Sequence, residues 1–181
     1  MSLTRREALA LLTTVCGGAI FGADRVLAGV ANALSGFSFS TSQRALLDEI
    51  GETIIPTTPD SEGAKAAQVG GFMEEIVRDF YTEAERTVFL GGLADIQSLS
   101  RREFADREFE TLSADERHAL LLKLEKPNPT PDYYAMMKQL TVWGYFTSEI
   151  GTKQALAYVA VPGRYDSCIT IDQATTKAWA D

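Results

Sequence analysis

The side chains that most readily react or titrate near neutral pH are few: one histidine, His118, and two cysteines, Cys16 and Cys168. A structural zinc site needs four Cys or His ligands, and a catalytic one needs three plus water, so this set cannot build either in the usual way. His118 stands between Arg117 and Ala119 in a helical pattern, with no serine elbow or cysteine beside it, and reads as a surface or boundary residue. The acid pairs Glu74–Glu75 and Glu108/Glu110 have the right chemistry for proton transfer. On polar helix faces of an acidic chain they read instead as solvating charges. Asp60 and Glu62 lack the alternating oxygen ligands and distant Glu of a calcium loop. There is no Gly-x-Gly-x-x-Gly turn, no phosphate loop and no Cys-x-x-Cys-His haem attachment. The expectation is a chain with no catalytic, cofactor-binding or metal-binding residues of its own.

The surrounding pattern is helical. Leu46, Leu47, Ile50 and Ile54 share a face that opens with Thr41 or Ser42 as N-cap and stops at Pro56. The loop from Pro56 to Gly63, with two prolines, three hydroxyls and two acids, should be exposed. A second helix is predicted over Ala66–Phe80, burying Phe72, Ile76 and Phe80. Thr82–Glu85 forms a capping box that opens a third, with Val88, Phe89, Leu93, Ile96 and Leu99 inward. Gly91–Gly92 in its middle marks a kink or a close helix crossing. Ser113–Glu116 repeats the capping box before Leu120, Leu121 and Leu124. After the prolines of Lys126–Asp132, a fifth helix carries Tyr133, Met136, Met137, Leu140 and Trp143 as the most amphipathic stretch. The tail from Val161 shows no helical period until a stretch at Gln173–Trp179, and no set of strands emerges. The fold class is therefore mainly α: a small domain of about five helices with an irregular C-terminal tail.

Two regions carry more recognition chemistry than a core requires. Trp143, Tyr145 and Phe146 surround Gly144, and the tail brings Arg164, Tyr165 and Cys168 together with Trp179 further on. Tyr, Trp and Arg dominate protein–protein hot spots because they bury much area at low entropic cost. These aromatics fill either a core or a partner interface, and the irregular tail favours the interface.

At the N-terminus, Arg5 and Arg6 precede an uncharged run, Ala8–Gly22, that is shorter than the roughly 20 residues a membrane-crossing helix needs. This fits an export signal over residues 1–33, with the helical domain at 34–181. The adjacent arginines point to the twin-arginine route for folded proteins, although Glu7 and Ala8 depart from its usual pattern; an ordinary signal or a retained helix are the alternatives. Cleavage after Ala28 or Ala33 leaves Cys168 as the sole cysteine in an oxidising compartment, and after Ala33 the net charge moves from −8 to −9. An odd cysteine there bonds to another chain, stays a free thiol, or pairs with Cys16 if the signal is kept. The acidity also argues against nucleic acid, which calls for Lys and Arg.

The stretches LLDEIGETIIP (46–56), GAKAAQV (63–69), GYFTSEIG (144–151) and YVAVPGRYDSC (158–168) resemble the gluconate 2-dehydrogenase subunit 3 family, the last two most specifically. The resemblance implies a periplasmic small subunit without cofactor. Its large partner would be a flavoprotein of the glucose–methanol–choline type holding FAD, and a c-type cytochrome with haem c would accept the electrons. Membrane association would come only through that complex. It further implies that Arg5–Arg6 carry the loaded partner across the membrane; with such a partner present, a disulfide from Cys168 to it stands beside a buried free thiol and a pair with Cys16. Related complexes oxidise glucosides, glucose or gluconate. A binding or chaperone module without a permanent partner, or a hydrolase built on His118, are the competing expectations.

Overall fold

A computed structural model describes residues 37–127, 130–158, Gly163, and the backbone of Trp179–Ala180. Five α-helices occur among the described residues: α1 (Thr41–Ile54), α2 (Val69–Asp79), α3 (Glu83–Glu103), α4 (Ala114–Glu125) and α5 (Asp132–Thr147). A 3-10 turn at Phe109–Thr111 joins α3 to α4, and a π-helical turn at Gly151–Ala155 follows α5. The mainly helical class expected from the sequence is the class observed.

Three helices open on reciprocal capping boxes. The pairs Thr82–Glu85 and Ser113–Glu116 stand where expected, but α1 is capped by Ser40, not by Thr41 or Ser42. The reason is local: Gln43 lies three residues beyond Ser40 and returns a bond to its backbone N–H at 2.9 Å. Helix α2 starts three residues later than predicted. Gln68 sits at φ 55°, in the left-handed region, and separates the preceding turn from the helix.

The buried faces meet in one core. Leu47, Ile50, Met73, Val77, Phe89, Ile96, Phe109, Leu120 and Met137 are each fully enclosed, contributing about 1.5–3 kcal/mol per side chain. In α2 the enclosed residues are Val69, Met73 and Val77; Phe72, Ile76 and Phe80, expected inside, are only half-buried. The inward stripe is thus displaced by one residue, with the Phe72 ring edge-on to Trp143 at 5.5 Å along the rim. In α3, Val88 points outward at 43% exposure, against the expectation that it faced the core.

Gly92 resolves the glycine pair. A Cβ there would lie 2.4 Å from the Tyr133 side chain of α5, whereas one at Gly91 would meet nothing. The pair therefore marks a close helix crossing made by Gly92 alone.

The buried polar residues Ser100, Thr141 and Glu74 are each tied down. Ser100 Oγ donates to Arg107 O at 2.8 Å and Thr141 Oγ1 to Met137 O at 2.8 Å. Glu74, read from sequence as a solvating charge, is 6% exposed. Its carboxylate accepts the Phe39 N–H at 3.2 Å and two Arg44 guanidinium bonds, at 2.9 and 2.6 Å. The correction has a simple cause: Glu74 adjoins Met73 on the inward side of α2, and Arg44 of α1 neutralises it there. Beyond the π turn, β1 (Ala157–Tyr158) pairs in parallel with β2 (Trp179–Ala180), Ala157 opposite Trp179. Trp179, where a helical stretch was expected to end, is extended in β2, and the rest of that stretch, 173–178, lies outside the described residues. No helix among the described residues is long and apolar enough to cross a membrane.

Candidate functional site

Helix α5 carries apolar residues on two sides. Its inner side, with Tyr134, Met137, Leu140, Thr141, Gly144 and Tyr145, is buried in the core. Its outer side exposes Val142, Trp143 and Phe146 at 42%, 41% and 38%. The sequence reading made α5 the most amphipathic helix; α2 divides its faces more sharply, because α5 has no continuous polar side in its second half.

The inner side ends in a hydrogen-bonded joint built from the GYFTSEIG stretch. Gly144 admits the Phe72 ring of α2, which would stand 2.5 Å from a Cβ. The Tyr145 hydroxyl bonds Ser61 Oγ at 2.5 Å and Glu62 O at 2.8 Å, fixing the loop that follows α1. Ser148 Oγ donates to Tyr145 O at 2.7 Å and accepts the Gly151 N–H at 3.0 Å. Gly151 has no room for a side chain, since a Cβ would fall 2.0 Å from Tyr145 O. Gln154 then accepts the Glu62 N–H at 2.8 Å and donates to its carboxylate at 3.0 Å.

Outside this joint lies a groove of about 640 Å³ between α5 and the α2–α3 corner. Ile76, Phe80, Val88, Met136, Leu140 and Trp143 line it, and among the described residues its charged members are Glu85 and Asp132. A second hollow of about 490 Å³ flanks the other side of the α5 ridge and shares Ala135, Gln139 and Trp143 with the first. Tyr134 lies in its wall, and burial, with Glu125 nearby, raises the phenol to about 12.

The candidate residues from the sequence therefore separate. Phe146 and Trp143 stand on the outer face. Tyr145, expected with Phe146 as an interface residue, is 2% exposed and belongs to the core, because its hydroxyl is drawn inward by the Ser61–Glu62 loop. Trp179 has its backbone in β2, while Arg5, Arg6, Cys16, Arg164, Tyr165 and Cys168 lie outside the described residues. Sequence reasoning missed Val88 and Val142. The signal available was the lack of a polar side on α5 from Val142 onward. His118 is exposed, and Glu110 and Glu108 engage Gln97 and Arg101. Among the described residues no group of three or more His, Cys, Asp or Glu is placed to hold a metal.

This arrangement can bind and position; what it offers chemically is an apolar ridge, with Glu85 and Asp132 along one margin and the Lys138–Glu125 pair along the other. A family model described as gluconate 2-dehydrogenase subunit 3 matches residues 41–163, more than half of the chain, taking in all five helices and both sides of α5. No curated protein and no solved structure matches the sequence.

Proposed function

The chain belongs to the gluconate 2-dehydrogenase subunit 3 family, by that name a subunit of a dehydrogenase complex, and from this premise we propose that it is the non-catalytic small subunit of an exported, FAD-dependent sugar dehydrogenase. In this reading the flavin resides in a large partner of the glucose–methanol–choline type, where hydride passes from a sugar carbon of a glucoside, glucose or gluconate to the flavin. A c-type cytochrome then takes the electrons. The present chain supports the folding, export and stability of that partner in the periplasm.

The observation that carries this reading is the outer face of α5. Val142, Trp143 and Phe146 remain about two-fifths exposed on a helix whose inner side is already satisfied, which suits a permanent apolar interface. Completing the burial of each would add about 1 kcal/mol. The export part rests on Arg5–Arg6, since a flavin-loaded partner cannot be threaded unfolded and calls for a folded-protein route.

The test is a pull-down of tagged full chain from its native periplasmic or membrane fraction. A flavin absorbance spectrum and a large oxidoreductase in the eluate are expected, and the double change Val142→Glu, Phe146→Glu should abolish both. A colourless, well-folded chain recovered alone would overturn the reading in favour of a transient binding module. Replacing Arg5–Arg6 by Lys–Lys should strand both subunits in the cytoplasm; continued export of the partner would end the carrier role.

A further inference from the structure

Tyr134 and Tyr145 of α5 are equally buried, each 2% exposed, but only one is satisfied. Tyr145 bonds Ser61 and Glu62, whereas the Tyr134 hydroxyl has no hydrogen-bond partner among the described residues. A polar group so enclosed calls for one. Tyr134 is not sealed off, however. It lines the hollow of about 490 Å³ beside α5 and a smaller one of about 90 Å³ between α1, α4 and α5. Glu125 and Lys138 line both, so the phenol stands where the two hollows meet. We propose that this junction binds a neutral pyranoside, with Tyr134 donating to a sugar oxygen and Trp143 covering a ring face.

Helix geometry sets the layout. Tyr134, Lys138 and Val142 follow one another at four-residue spacing, and Gln139 and Trp143 form the adjoining row, so these residues share one side of α5. Tyr134 and Trp143 are about 14 Å apart along the axis, which leaves space for a sugar ring between phenol and indole. Trp143 is 41% exposed, and the Phe72 ring meets it edge-on at 5.5 Å, which presets its plane. Gln139 is exposed between the two aromatics. Lys138 pairs with Glu125 of α4, yet both side chains are about two-fifths exposed and keep hydrogen-bonding capacity to spare.

The class of ligand follows from what this wall offers. Its two charges oppose each other: an anion would meet Glu125 and a cation would meet Lys138, so an uncharged ligand is favoured. Tyr134, Lys138 and the Gln139 amide supply donors, while Glu125 and the Gln139 carbonyl supply acceptors. A wholly apolar ligand would leave the phenol as unpaired as it is now. A pyranose ring meets each condition, because its hydroxyls both donate and accept and its C–H faces suit an indole. The hollow is also of ordinary size for a small-molecule site with an aromatic wall and a few convergent polar groups.

The inference goes beyond the reading of α5 as a docking face and does not need it. The two surfaces adjoin at Val142 and Trp143, so a docked partner would stand at the margin of the bound ring. The role is binding alone; no bond is made or broken in this chain.

Saturation-transfer NMR on the isolated full chain tests it without any partner, and so independently of the pull-down. The probe is methyl β-D-glucopyranoside, whose hydroxyls are all equatorial and leave both ring faces apolar. Transfer to its ring C–H protons is expected. Tyr134→Phe keeps the aromatic ring and removes the donor, and should weaken binding about tenfold. Gln139→Ala, at an exposed position outside the core, should weaken it severalfold, and Trp143→Ala should abolish the transfer. Glycerol, which has hydroxyls but no ring face, should show almost none. No transfer to the glucoside would overturn the proposal. So would equal affinity in the parent, Tyr134→Phe and Gln139→Ala chains, or transfer to glycerol as strong as to the glucoside.

Discussion

Tyr145 and Phe146 are neighbours in sequence and their rings meet edge-on at 5.1 Å, yet they serve opposite ends. On one side, Tyr145, Ser148 and Gly151 form a joint in which hydroxyls, carbonyls and amides are paired and a missing side chain makes room for a carbonyl. On the other, Val142, Trp143 and Phe146 leave apolar surface in water with no polar contact to fix it. The contrast teaches that a family-specific stretch need not be one functional unit. Most of GYFTSEIG holds the fold together, and the part it leaves turned outward is Phe146.

The comparison is broken most severely at Gly151. A valine there would drive Cβ into Tyr145 O, and the chain should lose about 3 kcal/mol of stability or fail to accumulate. Thermal unfolding checks this, and an unchanged midpoint would show that the joint can open without cost. Tyr145→Phe is the milder cut. It removes the bonds to Ser61 and Glu62 while keeping the ring, and should cost about 1–2 kcal/mol in chemical denaturation. Phe146→Glu, one residue on, should cost less, about 0.5–1 kcal/mol, because about two-fifths of the residue is already in water. A loss as large as that of Tyr145→Phe would mean that the two sides of α5 are not separable.

The smallest effect is electrostatic and lies away from both regions. Arg107, together with the Ser113 backbone N–H, holds the Glu116 carboxyl well below its ordinary range, at about 2. A depressed folded-state value stabilises the protein above the unfolded value near 4.5, and that contribution fades as pH falls through about 2. Glu116→Gln should therefore flatten part of the fall in melting temperature between those limits. Tyr145, Ser148 and Gly151 include no carboxylate, so changes there should leave the acid limb's shape intact.

Local signals in the sequence were read well where their physics is local. The capping boxes at Thr82–Glu85 and Ser113–Glu116 specify helix starts through side chains three residues apart, and both stand as read. Gly91–Gly92 signalled a kink or a crossing, and only the Tyr133 side chain tells that it is a crossing and that Gly92 makes it. What could not be read depends on partners distant in sequence. Glu74 is inside because Arg44 and the Phe39 N–H come to meet it. The inward stripe of α2 passes through Met73 and Val77 because Gly144 lets α5 take the Phe72 ring at the rim. Val88 and Trp143 carried the right period for a core, and the period alone does not say which apolar side of a two-sided helix the fold will cover.

The tie between Phe39 and Glu74 has a mechanical meaning. A pull on the residues ahead of Phe37 does not begin by peeling α1 from its N-terminal end. The load passes through the Phe39 N–H into the Glu74 carboxylate at 3.2 Å, and through the Phe39 ring, 6.1 Å from that of Phe89, into α3. Arg44 holds the same carboxylate from α1, so three helices share the first increment of force. A domain pulled at Phe37 would then resist as a block, with α1, α2 and α3 loaded together.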